Sequence, residues 1–155
     1  MKARNNSRGF TLIEVIAMMT VVALTSMALI VMYDTNQVSV ELARRKIASD
    51  IRFAQSRAMT TKQVHGFRAL TTTSYEVYIG APGNPITNPA TGAPMVVDMT
   101  KNFKNTSLGS ATYQVEFNTR GIPTLAVDLT MSVNNVGSVP KDIAVIKGTG
   151  AVTLP

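Results

Sequence analysis

The chain contains no cysteine and no tryptophan, and His65 is its only histidine. The missing cysteines exclude disulfide staples, thiol nucleophiles and cysteine-ligated metals. One histidine leaves no pair for a histidine-based metal site or a proton relay. Its place at the start of a β-prone run reads as packed or solvated rather than as a ligand. Glycine and proline are absent from residues 11–64, so no breaker interrupts a helix there. Charged residues make up only 15% of the 155 residues, against 45% hydrophobic. That apolar excess lies mainly before residue 34, so the rest of the chain has the balance of an ordinary folded domain.

Residues 1–9 are polar and basic, and residues 10–33 form an apolar run in which Glu14 is the only charged residue. A cleaved secretory signal places its apolar region before the cut, whereas here it comes after the switch from Arg8-Gly9 to Phe10. As a helix, 10–33 would extend about 36 Å, enough for a bilayer core of about 30 Å. Lys2, Arg4 and Arg8 favour a cytoplasmic N-terminus, although Arg44, Arg45 and Lys46 on the other side weaken that bias. Without the first three, 12 Lys and Arg face 9 Asp and Glu, reducing the formal charge from +6 to +3. The basic balance is then partly a targeting signal and weak support for nucleic acid binding. Glu14 has two readings: an interfacial carboxylate reaching headgroups and water, or one half of a charge pair within the membrane.

The uninterrupted interval predicts that the helix continues past residue 33 to about Thr61 or Lys62. Val40, Ala43, Ile47, Ile51, Ala54 and Ala58 recur at three and four residues and form one apolar stripe. Val38, Leu42 and Phe53 form a smaller patch on nearly the opposite side, open to a partner helix or to cover by the same domain. The charges between them (Asp34, Glu41, Arg44, Arg45, Lys46, Asp50, Arg52 and Arg57) read as a solvated face, with intersubunit ion pairs as the sharper alternative.

From residue 64 onward, short β-prone runs alternate with turn residues. Strands are expected at 64–70, 74–79, 95–100, 112–117, 125–133, 142–147 and 151–154. Residues 81–94 are rich in Pro, Gly and Asn and read as a surface loop, as does the polar stretch up to Ser110. Leu125, Val127, Leu129, Met131 and Val133 alternate as one face of a half-buried strand. The expected fold is α+β: a long N-terminal helix, apolar then amphipathic, packed on an antiparallel sheet or sandwich of about seven strands. Carboxylates at Glu76, Asp98, Glu116, Asp128 and Asp142 lack calcium-loop spacing, and no phosphate loop, nucleophile elbow or zinc signature occurs. No enzymatic activity, metal or cofactor is expected. Met18, Met19, Met27 and Met32 lie in the apolar run and read as packing or lipid-facing residues.

The segment Arg8-Gly9-Phe10-Thr11-Leu12-Ile13-Glu14-Val15 resembles the processing motif of type IV pilins and type II secretion pseudopilins. The resemblance implies prepilin peptidase cleavage between Gly9 and Phe10, N-methylation of Phe10, and pairing of Glu14 with the amino terminus of an adjacent subunit. Residues 44–58, Phe117-Asn118-Thr119-Arg120-Gly121 and the run from Ile143 through Gly148-Thr149-Gly150 are similar to GspH/FimU-type minor pilins. Three departures disfavour a major subunit: no proline in the apolar helix, no C-terminal cysteine pair and no acidic calcium-site cluster. The implied organisation is a leader at 1–9, a transmembrane and filament-core half at 10–33, an amphipathic half at 34–62 and a β domain at 63–155. Implied partners are prepilin peptidase, the inner membrane and other pilins, with no small-molecule substrate and no nucleic acid. The subunit would wait in the inner membrane, its globular part outside the cytoplasm, before entering a filament at or near its tip. A major pilin-like subunit, a DNA-uptake pseudopilin and an unprocessed signal-anchored envelope protein remain alternatives.

Overall fold

The computed structural model describes residues 11–32 and 35–155, with side-chain surroundings for 11–26 and 37–155. The expected leader at 1–9, the Gly9–Phe10 pair and the junction at 33–34 lie outside the described residues, as does the expected continuity of one helix across that junction. Two compact units divide after Asp34.

The first unit contains α1, Leu12–Met32. Thr11 begins it: its carbonyl accepts from the Glu14 and Val15 amides at 3.0 and 3.3 Å, and its hydroxyl accepts from the Glu14 amide at 3.4 Å. Glu14 thus occupies the first turn, where a carboxylate complements the helix dipole. Every described side chain from Thr11 to Ser26 is exposed. The few polar ones turn inward along the backbone: Thr20 donates to the Ala17 carbonyl, Thr25 to Val21 and Val22, and Ser26 to Val22, all at 2.8–3.0 Å. Such back-bonding satisfies hydroxyls without a solvent partner. The expected bilayer span covered 10–33; among the described residues, no helix is long and apolar enough to cross a membrane.

The second unit opens with α2, Thr35–Thr61. Val40, Ala43, Ile47, Ile51, Ala54 and Ala58 are all fully buried, as the periodicity predicts, and Ala48 joins them. Past Thr61, Lys62 takes a left-handed φ of 56° and turns the chain out of the helix. Eight strands come next: β1 His65–Thr71, β2 Ser74–Ile79, β3 Val96–Asp98, β4 Thr106–Leu108, β5 Gln114–Phe117, β6 Leu129–Asn135, β7 Lys141–Val145 and β8 Val152–Thr153. They form two antiparallel four-stranded sheets, ordered β3-β2-β1-β5 and β4-β6-β7-β8. α2 touches strands of both and closes one core. Phe67, Tyr75, Val77, Val115 and Phe117 enter that core from the first sheet; Leu108, Met131, Val133, Ile143 and Val145 enter from the second. Each large aliphatic so buried contributes roughly 1.5–3 kcal/mol. The fold is therefore α+β, a helix packed on antiparallel sheets.

Three local expectations change. The polar stretch before Ser110 contains β4, whose short Thr-Ser-Leu sequence is held by pairing Thr106 with Asn135 and Leu108 with Val133. The strand expected at 95–100 stops at Asp98, where its carboxylate accepts from the Thr100 amide at 3.0 Å and starts the one-turn helix α3, Met99–Asn102. The strand expected at 125–133 starts only at Leu129 and continues to Asn135, leaving Val127 70% exposed. Alternation alone could not reveal that residues 125–128 lack a strand partner.

Candidate functional site

Of the residues singled out for processing and assembly, only Glu14 is described. It is exposed in the first turn of α1. The Gly9–Phe10 bond and the Phe10 amino group lie outside the described residues, so the geometry neither joins nor separates them from Glu14.

The charged face of α2 is largely consumed within the chain. Glu41 accepts from Arg45 Nε at 2.7 Å and Arg44 Nη1 at 3.4 Å, and Arg44 Nη2 donates to the Pro155 carbonyl at 2.8 Å. The Arg45 hydrogen bond, with the cations nearby, holds the Glu41 carboxyl below its ordinary range. Lys46 pairs with Asp50, which is buried and also accepts from Tyr75 Oη at 2.6 Å. Burial, then the adjacent Asp50 charge, pushes the Tyr75 phenol well above its usual range. Arg52 Nη2 donates to the Val152 carbonyl at 2.7 Å. Each member of the Arg44-Arg45-Lys46 run thus has a carboxylate or carbonyl partner. The charged run is thus not simply a solvated face: Arg44 and Arg52 tie α2 to the C-terminal segment.

The two glycine-bearing segments converge on the same helix. Gln55 Nε2 donates to the Gly121 carbonyl at 2.8 Å and to the Thr149 carbonyl at 2.9 Å. Gly121 and Gly150 both have left-handed φ, +77° and +71°. A Cβ on Gly150 would stand 2.5 Å from Gln55 Nε2, 2.9 Å from the Gly121 carbonyl oxygen and 3.0 Å from Phe117 Cε1. A Cβ on Gly121 would stand 2.8 Å from Met59. Only glycine meets both requirements, backbone and space. The motif segments 44–58, 117–121 and 143–150 are therefore one lock, in which Gln55 bridges two turns distant in sequence. Neither Gln55 nor Met59 stands out in the sequence, since a half-buried glutamine and an exposed methionine on a helix carry no spacing signal.

The outer face of the first sheet is polar. Arg68 pairs with the buried Glu76 at 3.0 Å, and Glu76 also accepts from the Gly83 amide at 2.8 Å. Tyr78, buried and 3.4 Å from Glu116 Oε2, has its phenol pushed up to about 12, mainly by burial and then by the Glu116 charge. His65 is fully buried, with Nδ1 3.0 Å from the Gln63 carbonyl and so donating to it. Among the described residues, no three His, Cys, Asp or Glu side chains gather as metal ligands would.

No protein-family model matches the chain, and no curated protein matches it in sequence. Solved structures do match in shape. The type IV minor pilin FimU of Pseudomonas aeruginosa superposes with a TM-score of 0.59 at 16% identity, over 78% of this chain and 91% of that one. A second crystal form of FimU gives 0.56 at 14% identity, over 74% and 91%. At such identity the likeness is one of architecture, and the architecture of this chain is a pilin-like fold.

Proposed function

We propose that the chain is a minor pilin or pseudopilin subunit of a type IV pilus or a type II secretion pseudopilus. The observation that carries this reading is the order of two features in one chain. A FimU-like fold comes directly after Arg8-Gly9-Phe10-Thr11-Leu12-Ile13-Glu14. In this reading prepilin peptidase cuts between Gly9 and Phe10, Phe10 is N-methylated, and residues 10–33 hold the subunit in the inner membrane. The amphipathic half at 34–62 and the β domain at 63–155 lie outside the cytoplasm. Assembly at or near the filament tip transfers the apolar helix from lipid into a bundle of like helices. Glu14 then pairs with the amino terminus of a neighbouring subunit. The apolar surface avoids water in both states, so the pair sets register more than it drives transfer. The subunit acts by assembly rather than catalysis.

Mass spectrometry of the mature protein tests the reading directly. The expected mass lacks residues 1–9 and carries one methyl group on Phe10. Intact Met1 in cells with an active prepilin peptidase would sink it. Glu14→Ala is expected to insert and be cleaved normally yet fail to enter filaments; normal incorporation of that variant would remove the pairing role. An abundance in sheared filaments equal to that of the shaft subunit would point instead to a major pilin-like component.

A further inference from the structure

One end of the β unit carries aliphatic side chains that the unit leaves uncovered. β6 passes to β7 through residues 136–140, where Val136 is 78% and Val139 67% exposed. Between them Gly137 has a φ of +80° and faces open space. On α2, Val38 and Leu42 are also exposed, and Lys141 lines a shallow groove with them.

Three hydrogen bonds orient this end. α2 runs alongside the β7–β8 hairpin, with Gln55 at Thr149, Arg52 at Val152 and Arg44 at Pro155. β8 is antiparallel to β7, so β7 runs in the direction of α2 and Lys141 lies at the helix's N-terminal side. Two residues back along an extended chain cover about 7 Å, equal to the rise of roughly four helical residues. Val139 is therefore level with the first turns of α2, and the tip at 136–138 reaches toward the level of Thr35. By covalent continuity, Thr35 comes two residues after the end of the apolar sequence run.

The charge at this end is positive. The Lys104 carbonyl accepts from Asn135 Nδ2 at 2.7 Å, which places Lys104 beside the end of β6. Among the described residues, the cations Arg45, Lys104 and Lys141 lie here with Glu41 and Asp142, and Glu41 is already held by Arg44 and Arg45. The patch has aliphatics and lysines and no aromatic residue. Protein interfaces are enriched in aromatics and depleted in lysine. Membrane-interface anchors use aromatics as well, so the discriminating feature is lysine, which faces anionic headgroups beside shallow apolar insertion.

We infer that the turn at 136–140, with Val38, Leu42, Lys104 and Lys141, is a docking surface for an anionic lipid bilayer. It would hold the β unit against the membrane while the subunit waits for assembly. This rests on the proposed membrane anchoring of residues 10–33, and the test separates the two.

The absence of cysteine allows single labels on the full chain. Val136→Cys, Val127→Cys and Ala23→Cys proteins would each carry an environment-sensitive fluorophore. They would be reconstituted in phosphatidylcholine vesicles with and without phosphatidylglycerol, containing acyl-chain quencher lipids. The label at Ala23 should be quenched in both vesicles; failure there would overturn the anchoring itself. The label at Val136 should be quenched only with phosphatidylglycerol, and the exposed Val127 position should stay unquenched. Lys141→Gln should lower the quenched population of the Val136 label about fivefold, as should high salt. A quenched Ala23 label beside an unquenched Val136 label would overturn the docking surface alone. Shielding of Val136 that tracks protein density and ignores phosphatidylglycerol would assign the patch to another protein chain and also overturn it.

Discussion

The two long helices use apolar residues in opposite ways. In α1 every described side chain is exposed, including Leu12 at 79% and Met19 at 68%. In α2 the apolar residues are confined to a stripe, and that stripe is completely covered by two sheets. A helix apolar on all sides has no preferred face, so it is stable only where its whole surroundings are apolar. A striped helix specifies one partner surface and one rotation. The described part of α1 leaves its apolar side chains uncovered, whereas the stripe of α2 is satisfied by the domain that it opens.

The largest effects that sharpen this contrast should come from the covered stripe. Ile47→Ala is expected to cost about 2–5 kcal/mol in denaturant unfolding of the β unit, because its cavity cannot fill. Ile16→Ala in α1 should change the same transition by less than about 0.5 kcal/mol, since Ile16 is exposed. Equal losses at the two positions would break the distinction. Next in size is the glycine lock. Gly150→Ala combines a left-handed backbone with a Cβ 2.9 Å from the Gly121 carbonyl oxygen, and should cost about 2–4 kcal/mol. Unchanged unfolding of that variant would show that the two turns do not bear on α2.

Gln55→Ala removes the amide that bridges those turns and should cost about 1–3 kcal/mol, with faster amide exchange at residues 119–122 and 148–151. A smaller, pH-dependent effect concerns Tyr78. Its phenol is raised from 10.0 to about 12 in the folded chain, so the folded state holds a proton that the unfolded state releases. Its contribution is complete below pH 10 and is lost as pH rises toward 12. Tyr78→Phe should flatten that part of the stability curve; an identical alkaline decline would assign it to other groups. The smallest effect belongs to the exposed side of α2, where Leu42→Ser should leave stability within about 0.5 kcal/mol.

Much of the helical content can be read from residue order. The stripe from Val40 to Ala58 is purely local periodicity, and the end of α2 at Thr61 lies within the predicted limit. β1 and β2 are likewise visible as two apolar runs separated by a threonine turn. β6 starts later than alternation predicts because Val127 obeys the same period but has no neighbouring strand to pair with. β4 is hidden for the converse reason: three residues are too short a run to show a period, and they depend on β6 for their partners. The charged run of α2 reads as solvent-facing surface, yet Arg44 and Asp50 are buried, with partners as distant as Tyr75 and Pro155.

By itself, the sequence determined the basic segment at 1–9, the apolar run beginning at Phe10, the placement of Glu14 and the amphipathic stripe. All of these are properties of neighbours along the chain, where period and composition act directly. Tertiary structure alone decided that two glycine turns meet at Gln55, that Arg44 and Arg52 of α2 reach the C-terminal segment, and that Val136 and Lys141 share an end with the start of α2. Those outcomes depend on contacts across many tens of residues, which arise from sheet register and helix packing rather than local propensity.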